Sequence, residues 1–441
     1  MSAFQNVTPR TLRWDALAAT LRLTFLPVQA LVAVPSYLFL FTMALMLFRP
    51  PDYRFHSYDR FAFVLLMAVV VLRICVLRQR IHLRSPLIWP MAGLLALAFF
   101  DSISQPFNAE TWSMFASKWF IPFVLFYVAG IIFKDDADRR DFETFALVAL
   151  AYLSLIAIFF MVDAKQFIFP RYILDEGLGI HADRARGPFL QAVANGVALN
   201  ILGLLALDSF RRRRLRGVWA AILLAALPFA ILATKTRSVW LSFAASIALL
   251  VFSRNQRLRR LCVSMLLAGA LGLLAICLLS DHQCSLSNRL AERSPVEFRM
   301  AMYQAGAEMF LMKPLLGWGG AAMQAELAAR VSDFHQEEFY FHNTYLEIAV
   351  QYGLLGFALY LWLVVALFRV GRRRDNEPDF VCSSFADDGF RSLWPLILLV
   401  YLVNASFVVM NYQFVNGLVF SLAGILAAQN RQDGREYVRA S

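Results

Sequence analysis

The chain has 441 residues, of which 59% are hydrophobic and 17% charged, with 40 Phe and a formal net charge of +11. Soluble domains carry about 25% charged residues, and a fold of the present composition would have too little polar surface to coat its core. A water-soluble globular protein is excluded, and an all-α polytopic membrane protein remains. The positive charge is no nucleic-acid footprint: the arginines sit in short loops between apolar runs and do not gather on one basic face.

In chain order, apolar segments fall at about 25–48, 60–77, 87–104, 114–133, 144–162, 188–209, 218–233, 238–253, 261–279, 344–368, 392–411 and 414–429. A crossing takes about 20 predominantly apolar residues, so twelve transmembrane helices are predicted. The first run, at about 24 residues, is too long for the apolar core of a cleaved leader and reads as a retained span.

With both termini inside, 27 of the 42 Lys and Arg fall on the inner side, 14 fall outside, and Lys118 lies within a span. The short arginine-rich loops at 211–216 and 254–260 fix this orientation. The expected organisation is nine spans over 1–279, an outer-face loop over 280–341, and three spans with a cytoplasmic tail over 342–441. Five scattered cysteines show no metal spacing, and only Cys277 and Cys284 are placed to meet on the outer side. No metal and no cofactor are expected.

The outer loop has helical organisation. Ser294-Pro295-Val296-Glu297 fits a capping box with Ser294 as N-cap. Arg299, Met302, Tyr303, Gly306, Met309 and Phe310 then recur on one helical face, which Lys313-Pro314 ends. That face either holds Arg299 at the mouth of the spans or belongs to an ordinary amphipathic helix with an exposed Arg. A second short helix is predicted over 321–331.

The chain re-enters the membrane at Phe341-His342-Asn343-Thr344-Tyr345-Leu346, with Asn343 as the expected N-cap. His342 then stands at the positive end of a helix, which disfavours its protonation. A structural hydrogen bond and a general base are both open to it. On the same face lie Arg184 and Arg186, opening the sixth span, and Arg237 in the turn Thr234-Lys-Thr-Arg237-Ser. A single boundary Arg commonly snorkels to lipid headgroups, whereas a cluster suits a diphosphate, which Arg binds bidentately. Asp101 and Lys118 flank one outer turn and are placed to pair.

These residues resemble the O-antigen ligase and polysaccharide polymerase superfamily. His342-Asn-Thr-Tyr-Leu346 through Gly353 and Gly356 carries the first match, and Arg299-x3-Tyr303-x6-Phe310-x3-Pro314-Leu-Leu-Gly317-Trp-Gly319 the second. Arg237 resembles the family's Thr/Ser-Arg turn. Arg186-Gly-x-Phe189 with Asn195 resembles its span-six motif, with Ala194 where Pro is common. The motifs occupy about 180–370, and the first 180 residues match in hydropathy alone.

The resemblance implies a GT-C-like glycosyltransferase of the bacterial inner membrane that works on the periplasmic face without metal or nucleotide sugar. It would pass a glycan from undecaprenyl diphosphate to an acceptor glycan or to lipid A–core, alongside other polysaccharide-assembly proteins. The resemblance makes His342 the base, with Arg237, Arg299 and Arg186 on the diphosphate. Arg184, Asn343 and Tyr345 are further substrate-binding candidates. Polymerase is favoured over ligase on family frequency alone. A flippase or secondary transporter also suits twelve spans, but predicts repeat symmetry and mid-membrane charges that the sequence does not display.

Overall fold

The computed structural model describes residues 35–48, 58–76, 78, 85–253, 255–279, 294–331, 341–372, 385 and 387–440. Among them the secondary structure is helical, with no strand. The expected meeting of Cys277 with Cys284 lies outside the described residues, as does most of the inner linker at 371–391.

In chain order the helices are α1 (Pro35–Leu47), α2 (Tyr58–Val76), α3 (Ile88–Ile103), α4 (Ala109–Ile132), α5 (Asp136–Met161), α6 (Ala192–Arg211) and α7 (Gly217–Ala233). Then come α8 (Arg237–Val251), α9 (Gln256–Leu279), α10 (Ser294–Met312), α11 (Gly320–Arg330), α12 (Thr344–Val370), α13 (Asp388–Ala405) and α14 (Gln413–Ala440). Within the described residues each predicted apolar segment coincides with a helix, and the two helices expected in the outer loop are α10 and α11. By length and composition, α4, α5, α6, α9 and α12 can each cross a membrane.

Local chemistry sets several ends. Asn108 accepts from Glu110 N at 2.9 Å to start α4, and Asp387 accepts from Phe390 N at 2.8 Å to start α13. A wide turn at Ala116–Phe120 re-aims one face of α4 and buries Lys118. α6 is enclosed on nearly every side. Where α4 crosses α14, a Cβ on Gly424 would lie 2.0 Å from Phe126 O, so the two backbones touch, as small residues permit between membrane helices.

The bundle has two chemically different ends. At one, Arg211 and Arg212 bind Asp208 at 2.7 and 2.8 Å, Arg212 reaches Glu143 at 2.5 Å, and Arg211 also pairs with Asp387. This buried network ties α5, α6 and α13 together. At the other end lie the 163–191 segment, the α7–α8 turn, α10, α11, the start of α12 and the α13–α14 turn.

Candidate active site

The site is built on the first turns of α12. Asn343 Oδ1 accepts from Tyr345 N at 3.0 Å and Leu346 N at 3.1 Å, capping the helix as its sequence predicts. Thr344 Oγ1 donates to Val408 O at 2.8 Å and accepts from Met410 N at 2.9 Å. Tyr345 Oη donates to Leu402 O at 3.0 Å. Asn343 thus caps its own helix, Thr344 ties the helix start to the α13–α14 turn, and Tyr345 ties it to the last turn of α13.

Nine residues further on, the helix kinks at Gly353, with φ 65° and ψ −163°. Only glycine occupies that region freely. The chain after α10 fills the break: Trp318 N donates to Val350 O at 2.9 Å, Gly319 N to Gln351 O at 3.0 Å, and Leu354 N to Pro314 O at 2.7 Å. A Cβ on Gly353 would stand 2.3 Å from Leu315 O, and one on Gly317 would stand 2.4 Å from Gln351 O. The two sequence motifs therefore meet backbone to backbone, and residues 344–352 form a separately anchored half-helix that presents His342.

His342 precedes this half-helix in the left-handed region, at φ 49°. That conformation is uncommon for a non-glycine residue and gathers at functional sites. Its ring is half-buried, 6.0 Å from the Phe298 ring. α10 approaches closely because Gly306 has no side chain; a Cβ there would lie 2.7 Å from both Phe341 and Leu346. Two turns earlier on α10, Arg299 bears electrostatically on His342. Burial and the Arg299 charge together hold the imidazole below its ordinary pKa. The neutral, proton-accepting form is favoured.

Arg237 begins α8, and its side chain is exposed. Neither Arg237 nor Arg299 forms an ion pair among the described residues. Arg237 stands at the His342 end, with no hydrogen bond or ion pair to His342 or Arg299 among the described residues. The backbone links it to the span-six motif instead, since Ala185 N donates to Ala233 O at 3.1 Å beside the Thr234–Arg237 turn.

Arg186 is fully buried. Its Nε donates to Ile173 O at 2.9 Å, Nη1 to Leu178 O at 2.5 Å, and Nη2 to Asp175 O. The guanidinium is a clasp on the 163–190 segment: three of its five N–H donors go to carbonyls of that segment, and the group is buried away from the surface. Arg184 is also buried, with Asp183 at 4.0 Å.

The expected Asp101–Lys118 pairing is not formed. Lys118 Nζ lies 2.6 Å from Glu347 Oε1, because the wide turn in α4 directs it toward α12. Asp101 accepts from Gly320 N at 2.9 Å and from Gln351 Nε2 at 2.7 Å, capping α11 and bracing the kink. Sequence reasoning missed Glu347, Gln351 and the carbonyls of 402–408. The lone sequence signal was a carboxylate in the first turn of an apolar span, which needs a partner. Below Thr344 a cavity of about 30 Å³, lined by Lys118, Tyr360 and Tyr401, has room for one water and no sugar.

No curated protein matches the chain. Residues 220–361, about a third of the chain, match the family described as O-Antigen ligase. That segment holds Arg237, Arg299, His342 and the Gly353 kink, so the part of the chain that carries the candidate site is similar to the O-antigen ligase family.

Proposed function

We propose that the protein is a membrane glycosyltransferase that takes a glycan from undecaprenyl diphosphate on the outer face of a bacterial inner membrane and transfers it whole to an acceptor sugar hydroxyl. The observation that carries this reading is the half-buried His342, kept neutral beside Arg299, within the segment that matches O-antigen ligase. In this reading the chain has twelve spans in a GT-C-like arrangement, with both termini in the cytoplasm and 280–341 in the periplasm.

In the proposed reaction the acceptor oxygen attacks the anomeric carbon, and the bond from that carbon to the diphosphate oxygen breaks. The hydroxyl proton passes to His342, and the electron pair leaves with the diphosphate. A diphosphate is a good leaving group, so it needs positive charge more than an acid, and Arg299 and Arg237 supply that charge. The hydroxyl is a poor nucleophile and needs a neutral base within hydrogen-bond reach. One displacement inverts the anomeric centre and requires no metal.

Arg186, buried and bonded to three carbonyls of its own loop, acts by shaping that loop. The partners are the lipid-linked oligosaccharide, an acceptor glycan or lipid A–core, the bilayer and other polysaccharide-assembly proteins. Polymerase is slightly preferred, on family frequency alone; a ligase would use the same chemistry and is the activity the matching family is described by.

The test is a gel of surface polysaccharide from a deletion strain carrying the wild-type or the His342→Ala protein. Wild type restores long chains and His342→Ala does not. Core capped by a single repeat, or loss of long exopolysaccharide, identifies a polymerase. Bare core with accumulating long lipid-linked chains identifies a ligase. A wild-type pattern from His342→Ala would overturn the assignment.

A further inference from the structure

At the opposite end of the bundle, where α6, α7 and α9 meet, lies an open cleft of about 610 Å³. Arg211, Arg213, Arg216 and Arg257 line it, and no carboxylate does. Arg211 is neutralised by Asp208 and Asp387. Arg213, Arg216 and Arg257 are exposed and form no ion pair among the described residues. Arg213 sits at φ 61°, in a turn that folds the chain back after α6.

The backbone adds to this charge. The start of α9 is capped by Asn255, whose Oδ1 accepts from Arg257 N at 3.1 Å and Leu258 N at 3.2 Å. α7 has no such cap: the Arg216 side chain at its N-cap position has no acceptor to offer. Gly217, the first residue of α7, lines the cleft, so this uncapped helix start lies at its edge, where a helix end favours an anion.

We propose that this cleft binds a phosphate group at the cytoplasmic membrane surface, supplied by an anionic phospholipid headgroup or by a soluble phosphate. Three guanidinium forks and an uncapped helix start match tetrahedral oxyanion geometry. Val218 and Trp219 on the first turn of α7 are 63% and 73% exposed. They offer an apolar wall where acyl chains would continue, with the indole at interface depth. The site rests on the orientation read from the arginine distribution and is independent of glycosyl transfer.

Full-length protein in neutral detergent micelles should be titrated separately with phosphatidylglycerol, phosphatidylcholine and inorganic phosphate, following bound ligand by native mass spectrometry and the shift in thermal unfolding. Wild type should retain phosphatidylglycerol over phosphatidylcholine. The triple variant R213Q/R216Q/R257Q should lose affinity on the order of a hundredfold, and R216Q alone roughly fivefold. The control R259Q/R260Q removes exposed arginines of α9 that do not line the cleft, and should bind as wild type. Binding of phosphatidylglycerol alone assigns a headgroup site, and binding of inorganic phosphate without lipid assigns a soluble source. No preference for either phosphate ligand, or an equal loss in R259Q/R260Q, would overturn the proposal. R216Q keeps the test valid if the triple variant fails to fold.

Discussion

The Lys118 ammonium lies 2.6 Å from the Glu347 carboxylate, both buried, joining two helices whose residues stand 229 apart in sequence. The pair anchors the half-helix 344–352 to α4. Removing one member strands the other charge in an apolar setting, which costs about 3–5 kcal/mol, whereas replacing both with apolar residues of similar volume is close to neutral. Lys118→Met and Glu347→Leu should each lower the unfolding temperature in detergent, and the double variant should recover most of the loss. An additive double variant would show that the two groups do not act as a pair.

The depressed pKa of His342 sets a pH dependence. Its folded-state value lies below the ordinary histidine value of about 6.5. Its contribution to stability is therefore complete above that pH and is lost as pH falls through the folded value. If His342 is the base, transfer activity should fall along an acid limb centred below about 6.5. Arg299→Gln removes the nearby positive charge but leaves the burial, so the limb should move upward toward, without passing, the ordinary value. A limb unmoved by Arg299→Gln would separate the two residues.

The three arginines should respond differently to lysine. At Arg237 and Arg299 the proposed role is bidentate contact with a diphosphate, which Lys cannot reproduce, so Lys should rescue little better than Ala, with donor use reduced roughly 10–100-fold. At Arg186 the guanidinium spans three carbonyls of its own segment, so Arg186→Lys should lower stability and protein level before donor affinity. Donor titrations with purified protein, beside a melting curve, separate these outcomes.

Gly353→Ala tests the kink. A Cβ there meets Leu315 O at 2.3 Å, at a φ that L residues avoid. The strain alone is about 1–3 kcal/mol, and its relief requires the 314–320 segment to withdraw. Stability should fall by at least that amount, and the motif around His342 should lose activity while its side chains are intact. Wild-type melting and activity in Gly353→Ala would show that the backbone pairing is dispensable.

The sequence by itself determined the membrane class, the position of every described apolar helix, the two loop helices, the Asn343 cap and the candidacy of His342, Arg237 and Arg299. These are properties of local periodicity, capping and short motifs, which a linear reading carries. It did not determine partners. Lys118 was expected to pair with Asp101, but a wide turn in α4 aims it at Glu347, and Arg186 read as a ligand-binding residue, but its guanidinium is buried against its own loop. The pairing of Pro314–Gly319 with a broken α12 depends on two glycines lying backbone to backbone across 36 residues of chain. The proximity of Arg299 to His342 follows from Gly306 letting α10 close on Leu346. Contacts of this kind arise from three-dimensional packing, where close approach and desolvation choose among groups that the sequence leaves equivalent.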